Sequence, residues 1–338
     1  METVYVVEPG AYLQKSGNAL NIMKDKQLLQ AIPAKDLEKL ILAGYVSMSG
    51  SVMNFLISNR VETVFVTPTG KFRARLMIDE HKHVALRKAQ YLKLSEDAFG
   101  RKIMKVLVRG KLDNMAALML RRASDYKDDT LRNAAIGLKA LARNMQSDLT
   151  RDAIRGIEGA GSRIYFSVFS RMIRNETFYF KGRNRRPPLD PVNALLSFAY
   201  TLLTNEVLSA IKTVGMDPYM GSLHEISYGR PSLACDLVEE YRSIIADRLV
   251  LKLLNQKMVK PDDFTYRKNV PGSFVDETEM KQKRPVEMKP YLLKAFLAAY
   301  EATMGGKRNY RQTLRNQVRH FADFLLTPDK GYLPLRFG

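Results

Sequence analysis

Short apolar runs separated by turn residues dominate the first part of the chain. The runs cover residues 4–7, 19–23, 40–42 and 63–66, with Gly, Pro, Ser and Asn between them. A helical spacing of apolar residues interrupts this pattern once, from about residue 51 to residue 59. Several strands at this spacing, without long helices between them, predict a small β-rich, sandwich-like domain over residues 1–78.

The periodicity becomes helical after a polar stretch near residue 80. Residues 79–88 indicate a linker, whose polar start would also suit a first helical turn, and the apolar positions beyond it recur at helical spacing over residues 89–338. The predicted fold class is therefore α+β, with an N-terminal β-rich domain followed by an all-α domain. The tail after Asp329 has no clear period, and we expect it to order only against a partner.

One helix has clear start and stop signals. It begins after Asp190, an N-cap residue followed by Pro191 in the first turn, and it ends at Gly215. Residues 181–188 and 264–290 are rich in charge, Pro or Gly and predict loops within the helical domain.

Positive charge is the strongest compositional signal. The chain has 54 Lys and Arg against 35 Asp and Glu, which gives a net charge of +19. Such a surplus attracts polyanions. Ribosome docking or membrane adhesion would also suit a basic surface, but no basic amphipathic helix with an aromatic apolar face supports the membrane alternative. Nucleic acid is the leading partner on composition.

Cysteine usage and hydropathy indicate the compartment. Cys235 is the single cysteine, which excludes an intrachain disulfide and favours a reducing environment. No apolar run approaches the ~20 residues that cross a bilayer. The first residues lack the basic-then-apolar order of a signal peptide. We therefore expect a cytoplasmic protein.

A loop histidine and two carboxylates form the first candidate site. His224 lies in a predicted loop, and a new helix is expected to open at Ser232, a natural N-cap. On that helix Asp236 borders the apolar stripe, and Glu239 follows one turn later on the polar side. The His224 imidazole is thus able to lie close to the carboxylates of Asp236 and Glu239, as in a metal site. The alternative is that the acids are solvated partners of the helix dipole and that the histidine is an ordinary loop residue.

The second candidate segment is a glycine-rich helix around Glu158. It contains three glycines, each of which costs a helix about 1 kcal/mol, so another backbone or a substrate is expected to come close. Glu158, Ser162 and Tyr165 share one face, where an acid, a hydroxyl and a stacking ring line up. A tight helix crossing with an exposed glutamate is the alternative.

These acids and the imidazole suit a hard divalent cation, Mg²⁺ or Mn²⁺. On a basic protein such an ion serves to polarise a phosphodiester and to orient the attacking oxygen. Two clusters supply phosphate-binding side chains, although a solvated loop and a surface helix would look similar: Arg183, Arg185 and Arg186 in the first, and Lys307, Arg308 and Arg311 in the second.

Four segments in order resemble the CRISPR-associated integrase family of spacer acquisition, the Cas1 family. They are Glu158-Gly with Arg163-x-Tyr165; Arg183 to Asn193, with Asp190-Pro-Val before the asparagine; Leu223-His224; and Gly229-Arg230-Pro-Ser-Leu followed by Asp236-Leu-Val-Glu239. The β-rich start is also similar to that family's N-terminal domain. Each motif is weak alone, but their order and spacing over nearly the whole chain are specific.

The resemblance implies an enzyme that joins a DNA 3′-hydroxyl to a CRISPR repeat by metal-dependent transesterification. It implies Glu158, His224 and Glu239 as metal ligands, with Asp236 a further required acid. Many relatives have Asp at the position of Glu239. The longer side chain of Glu239 moves the carboxylate further from the backbone, but the ligand is a carboxylate in both cases. It also implies dimerisation through the β-rich domain and a heterohexamer with the small companion protein Cas2, which holds double-stranded DNA with 3′ ends.

The residues expected to contact DNA come from the basic clusters and the family motifs. A branched-DNA repair nuclease and a non-catalytic basic DNA-binding scaffold are the alternative functions. A metal-dependent reaction would distinguish either enzyme from the scaffold. Joining of a free DNA 3′ end, rather than cutting alone, would distinguish the integrase from the nuclease. The expected DNA contacts are Arg163, Tyr165, Arg183, Arg185, Arg186, Arg230, Lys307, Arg308 and Arg311.

Overall fold

The computed structural model describes residues 2–67, 72–76, 82–145, 148–184, 187–266 and 285–336. The chain divides into two units, Met1–Glu80 and His81–Gly338. Strands and sheets make up the first unit and helices dominate the second. The predicted α+β class is therefore confirmed.

The strands of the first unit form two four-stranded sheets. One sheet has the order β1-β5-β7-β8, in which β7 and β8 are antiparallel and the other pairs are parallel. The other has the order β4-β3-β2-β6, with β2 and β6 parallel. The elements are β1 (Glu2–Val6), β2 (Tyr12–Ser16), β3 (Ala19–Lys24), β4 (Gln27–Pro33), β5 (Leu37–Ala43), β6 (Ser47–Met48), α1 (Gly50–Ser58), β7 (Glu62–Val66) and β8 (Phe72–Leu76).

Side-chain alternation along β5 explains how this unit packs. Leu40 and Leu42 join one apolar core, to which both sheets and α1 contribute. Ile41 and Ala43 point the other way into a second, smaller cluster. Because both of its faces are covered, β5 is apolar from Leu40 to Ala43, as expected for a central parallel strand.

The second unit is built around one long helix, α3. It packs against α2, α4 and α5 and against a π-helical turn, Arg242–Asp247. The helices of the described part are α2 (Val84–Ser95), α3 (Asp97–Tyr126), α4 (Asp129–Arg143), α5 (Arg151–Ser167), α6 (Pro191–Val214), α7 (Ser232–Val238), α8 (Arg248–Asn255), α9 (Pro290–Met304) and α10 (Tyr310–Leu326).

Two details differ from the sequence expectations. Strands β9 (Phe264–Tyr266) and β10 (Val286–Met288) form an antiparallel ribbon inside a segment predicted as loop, so the unit is not purely helical. Helix α2 begins at Val84, within the residues predicted as linker.

Helix α6 has the predicted ends. The Asp190 side chain accepts a hydrogen bond from the Asn193 amide, and Gly215 stops the helix in a left-handed conformation. Among the described residues α6 is the helix long and apolar enough to cross a membrane, which the sequence expectation had excluded. It packs inside its unit, with 78% of its most apolar window buried, as a core helix does.

The tail also differs from its prediction, because it packs on its own chain. Tyr332 is buried and donates a hydrogen bond to the Glu240 carboxyl group. The Leu335 amide donates to the same carboxyl group at 2.9 Å, and the Asn114 side chain donates to the Leu335 carbonyl at 2.7 Å. Glu240 and Asn114 thus give the tail hydrogen bonds that its lack of periodicity did not reveal.

Candidate active site

Helix α5 carries Glu158 close to α3. Thr150 caps the helix by accepting a hydrogen bond from the Ala153 amide at 3.2 Å. A Cβ atom at Gly161 would lie 2.2 Å from a Leu112 methyl group, so this glycine permits a tight crossing with α3. The crossing predicted as the alternative for this segment is therefore present, and it also presents Glu158, whose carboxylate accepts from the Ser162 hydroxyl at 3.0 Å.

Asp236 holds the loop that presents His224. Its Oδ2 atom accepts from the Ser222 and Leu223 amides at 2.6 and 2.9 Å. Its Oδ1 atom contacts the His224 amide at 2.8 Å and the His224 Nδ1 atom at 2.9 Å. Because an ionised carboxylate only accepts, Nδ1 carries a proton, and Nε2 is the ring nitrogen left to face a ligand.

The approach of loop and helix requires a glycine at position 221. A Cβ atom there would lie 2.6 Å from Asp236 Oδ2 and 2.8 Å from the Leu233 nitrogen. The N-cap predicted for this helix is wrong by one residue, because Pro231 stands there without a side-chain cap. The Ser232 hydroxyl instead donates to the Tyr219 carbonyl, which ties the helix start to the incoming chain.

Two arginines of α5 hold the other side of the same loop. Arg151 Nη1 donates to the Ser222 carbonyl at 3.2 Å, and Arg155 Nε donates to the Leu223 carbonyl at 2.8 Å. The amides of this loop thus face Asp236 while its carbonyls face guanidinium groups. His224 is fixed from both sides.

Glu239 is buried, which corrects its predicted place on the polar side of the helix. Its side chain is 2% exposed, and the Arg242 Nη1 atom lies 3.0 Å from its Oε1 atom. The π-helical turn begins at Arg242, directly after this stretch. Burial alone raises the pKa of Glu239, but the charges of Arg242, Lys111 and His224 more than offset it and bring the pKa to about 2. Glu239 is therefore an anion at neutral pH.

The three ligands implied by the resemblance come from α5, the 222–224 loop and the end of α7. His224 Nε2 lies 3.9 Å from Glu239 Oε1. The Lys111 ammonium contacts the carboxylates of both Glu158 and Glu239, at 2.8 Å from Glu239 Oε2.

As they stand, the described residues contain no group of three His, Cys, Asp or Glu side chains spaced to hold a metal. The donor chemistry nevertheless fits a divalent cation. Two carboxylates and an imidazole are ligands that Mg²⁺ and Mn²⁺ accept. The two carboxylates already share one cation, the Lys111 ammonium. Asp236 differs from these ligands, because both of its oxygens are occupied by loop donors.

A cavity of about 430 Å³ opens beside His224. Arg151 and Arg155 line it together with the acidic residues Asp97 and Glu225 and residues of the histidine loop. The acids that pair with these arginines are exposed, Asp97 to 63%, Glu225 to 74% and Asp152 to 93%, so solvent screens the ion pairs and makes them weak.

A second buried network lies behind the site and includes Tyr165. Its ring is fully buried, and its hydroxyl donates to Asp247 at 2.8 Å. Tyr200 donates to the same carboxyl group at 2.6 Å. Burial raises the pKa of Asp247 to about 6, although both hydroxyls lower it. In this structure the Tyr165 ring contacts the core, and the expected contact of Tyr165 with DNA stays a prediction.

The Tyr200 ring also connects the basic loop with the site. The Arg183 and Arg242 guanidinium carbons lie 5.3 and 4.9 Å from its centroid. Arg183 further donates to Asn193 Oδ1 at 2.7 Å and to the Ser197 hydroxyl at 3.0 Å. Its guanidinium is thus used to fix the loop against α6. Arg185 and Arg186 lie outside the described residues.

The remaining basic residues divide into exposed and internally paired ones. Arg311 is paired with Glu206 at 2.9 Å and with Glu301 at 2.8 Å, and its side chain is 14% exposed. In this structure two carboxylates take its charge, and its expected contact with phosphate stays a prediction. The exposed members are Arg163, Arg230, Lys307 and Arg308.

Four basic residues of the site were missed in the sequence: Lys111, Arg151, Arg155 and Arg242. Lys111 had a usable signal, because it interrupts the buried stripe of α3. A lysine at such a position needs an acidic partner. The other three lack a comparable local signal.

The chain as a whole is similar to proteins of one known family. The profile of the family described as CRISPR associated protein Cas1 matches residues 4–283. CRISPR-associated endonuclease Cas1 1 of Chlorobaculum tepidum is 37% identical over 270 residues, which are 78% of this chain and 79% of that protein. CRISPR-associated endonuclease Cas1 3 of Thermus thermophilus is 33% identical over 338 residues, 98% of this chain and 96% of its own length.

Solved structures share the fold. A Cas1 protein from Thermotoga maritima matches with a TM-score of 0.80 and 22% identity, over 100% of this chain and 99% of its own. A casposase bound to integration product has a TM-score of 0.80 at 22% identity, covering 99% and 93%. A Cas6-RT-Cas1–Cas2 complex has a TM-score of 0.81 at 20% identity, covering 98% of this chain and 36% of the matched one.

Proposed function

The chain belongs to the CRISPR-associated Cas1 family, and on that premise we propose that it is a divalent-metal-dependent DNA endonuclease and integrase. It inserts short DNA fragments into a CRISPR array by transesterification, in which a DNA 3′-hydroxyl attacks a phosphodiester of the repeat. The observation that carries the proposal is a cluster on a strongly basic protein: Lys111 contacts both Glu158 and Glu239, and His224 Nε2 lies 3.9 Å from Glu239.

Glu158, His224 and Glu239 would hold the metal, Mg²⁺ or Mn²⁺. When bound, the ion supplies a Lewis acid that neutralises charge on the reacting phosphate. Asp236 keeps the proton on His224 Nδ1 and so leaves Nε2 free to bind. Arg242 keeps Glu239 ionised and fixes its carboxylate.

DNA reaches this centre along positively charged surface. Arg151 and Arg155, at the cavity beside His224, are placed to meet the phosphates next to the reacting one. Arg163, Arg230, Lys307 and Arg308 are exposed and supply further phosphate contacts. Arg183 acts on DNA only through the loop that it fixes, and Arg185 and Arg186 stay predicted contacts.

The assembly proposed is that of the family. One matched structure is a Cas6-RT-Cas1–Cas2 complex, and another is a casposase bound to integration product. We propose a homodimer formed through the β-rich domain, residues 1–78, with catalysis in residues 89–338. Two such dimers would join the companion Cas2 in a heterohexamer that holds double-stranded DNA and CRISPR repeat DNA, in the prokaryotic cytoplasm.

A strand-joining assay tests the proposal directly. Purified protein, with and without Cas2, is given a duplex with free 3′ ends and a supercoiled plasmid carrying a repeat, in Mg²⁺, Mn²⁺ or EDTA. We expect joining only with metal, and loss of joining in Glu158→Gln, His224→Ala and Glu239→Gln. Glu176→Gln, an exposed site elsewhere, is the matched control and retains activity.

Other outcomes select the alternative functions. Metal-dependent cutting of branched DNA without joining would identify a repair nuclease. DNA binding without any metal-dependent reaction would identify a scaffold. Full joining by the Glu158 or His224 variant would remove the proposed centre.

A further inference from the structure

Lys111 is a buried cation at the centre of the site. Its side chain is 2% exposed and lies on the buried stripe of α3, between Leu107 and Met115. The ammonium contacts one carboxylate oxygen of Glu158 and one of Glu239. A lysine is almost never buried unless it is paired, so these contacts explain how the fold tolerates it.

The charges around Glu239 balance without any added ion. Glu158 and Glu239 contribute two negative charges, while Lys111 and Arg242 contribute two positive ones. A divalent cation that binds both carboxylates raises the local charge by two. It also needs oxygen atoms that the ammonium already contacts, so the two cations compete for the same ligands.

We propose that Lys111 is a resident counter-ion of this acidic pair, and that a divalent metal binds by displacing its ammonium from at least one of the two carboxylates. The inference rests on the metal site of the proposed function. It gives Lys111, which is not a metal ligand, a role in metal binding. Metal binding is then an exchange of one cation for another. The apparent affinity for metal is lower than the ligands alone would give, because the exchange breaks an existing ion pair.

The test is a calorimetric titration of the EDTA-treated, dialysed full chain with Mn²⁺ alone. Lys111→Met keeps most of the apolar stem and removes the charge. We expect it to bind Mn²⁺ at least about fivefold more tightly than the wild type, the lower end of typical coupling between two ligands. Lys102→Met makes the same change at an exposed position of α3 and leaves the affinity unchanged. Unchanged or weaker binding by Lys111→Met would overturn the exchange.

The direction of the effect separates this role from a structural one. Loss of a lysine that only supports packing would loosen the ligands and weaken Mn²⁺ binding. If Lys111→Met is unfolded in EDTA, the exchange predicts that Mn²⁺ restores its circular dichroism, because the metal replaces the lost charge. A variant that stays unfolded at saturating Mn²⁺ counts against it.

A His224→Ala arm distinguishes the two proposals. If His224→Ala binds Mn²⁺ as tightly as the wild type, the metal site itself is misplaced and the exchange fails with it. If His224→Ala binds weakly while Lys111→Met gains nothing, the metal site stands and only the exchange is refuted.

Discussion

Replacing Asp236 by asparagine tests whether this residue orients the histidine or binds the metal. The substitution keeps the shape of the side chain and removes its charge. In the wild type, four donors converge on the carboxylate: the amides of residues 222, 223 and 224 and the His224 Nδ1 atom. Asparagine has one acceptor oxygen, and its amino group would face two of these donors.

The magnitude follows from the two donors left without an acceptor. A buried unsatisfied donor costs about 1–3 kcal/mol, so Asp236→Asn should lower the free energy of unfolding by about 2–6 kcal/mol. Because the histidine then loses its orientation, affinity for Mn²⁺ should fall about 10–100-fold without vanishing.

Denaturant unfolding at pH 7 in EDTA measures the first effect, and Mn²⁺ titration measures the second. Asp152→Asn is the matched control, because this side chain is 93% exposed and should change stability by no more than about 0.5 kcal/mol. A stability loss below about 1 kcal/mol would contradict the hydrogen-bond reasoning. Complete loss of Mn²⁺ binding at unchanged stability would make Asp236 a direct ligand.

Three further predictions concern packing and pH. Gly221→Ala should destabilise the protein by about 1–3 kcal/mol, because the added Cβ atom would meet Asp236 and backbone atoms. Gly156→Ala, which adds a Cβ atom in open space on α5, should stabilise the protein by about 0.5–1 kcal/mol, and thermal melts measure both effects. The Asp247 carboxyl group has a pKa of about 6 in the folded chain and 3.8 in the unfolded chain, so the unfolded chain loses this proton first as the pH rises. Between these two pH values the free energy of unfolding of the wild type should fall by about 3 kcal/mol relative to that of Asp247→Asn. Urea unfolding at several pH values measures both proteins, and an equal pH dependence of the two would contradict the prediction. Arg311→Gln should lower the free energy of unfolding in urea by about 3 kcal/mol, because it leaves Glu206 and Glu301 without their cation. The control Arg319→Gln, at an exposed site, should change it very little, and equal losses in the two variants would refute the role of the ion pairs.

Features encoded within a few residues could be predicted from the sequence. Asp190, Pro191 and Gly215 carry the cap, the first turn and the stop of α6, so both ends of the helix were found. The apolar runs of the first unit predicted its sheets, because strand alternation is a local property. The local pattern made His224 and its carboxylates a candidate site but also fitted solvated residues, and the family resemblance decided between the two interpretations.

Features that depend on distant pairing could not be predicted. Lys111 meets Glu158 across 47 residues, and Arg151 meets the Ser222 carbonyl across 71. Glu239 was expected on a polar face because the sequence does not show that other elements cover that face of the helix. The burial of Tyr165 could not be predicted either, because its hydrogen-bond partner Asp247 is 82 residues away in the sequence.

The docked tail also sets the order in which the protein matures during synthesis. Glu240 and Leu335, which hydrogen-bond to each other, are 95 residues apart, and Asn114 binds the carbonyls of both. At about 5–20 residues per second, a ribosome needs roughly 5–20 s to make the intervening chain. Throughout that interval the buried Glu240 carboxyl group, next to Glu239, lacks its Tyr332 and Leu335 partners. The nascent protein therefore completes the hydrogen bonds around Glu240, the neighbour of Glu239 in sequence, only when the tail has left the exit tunnel.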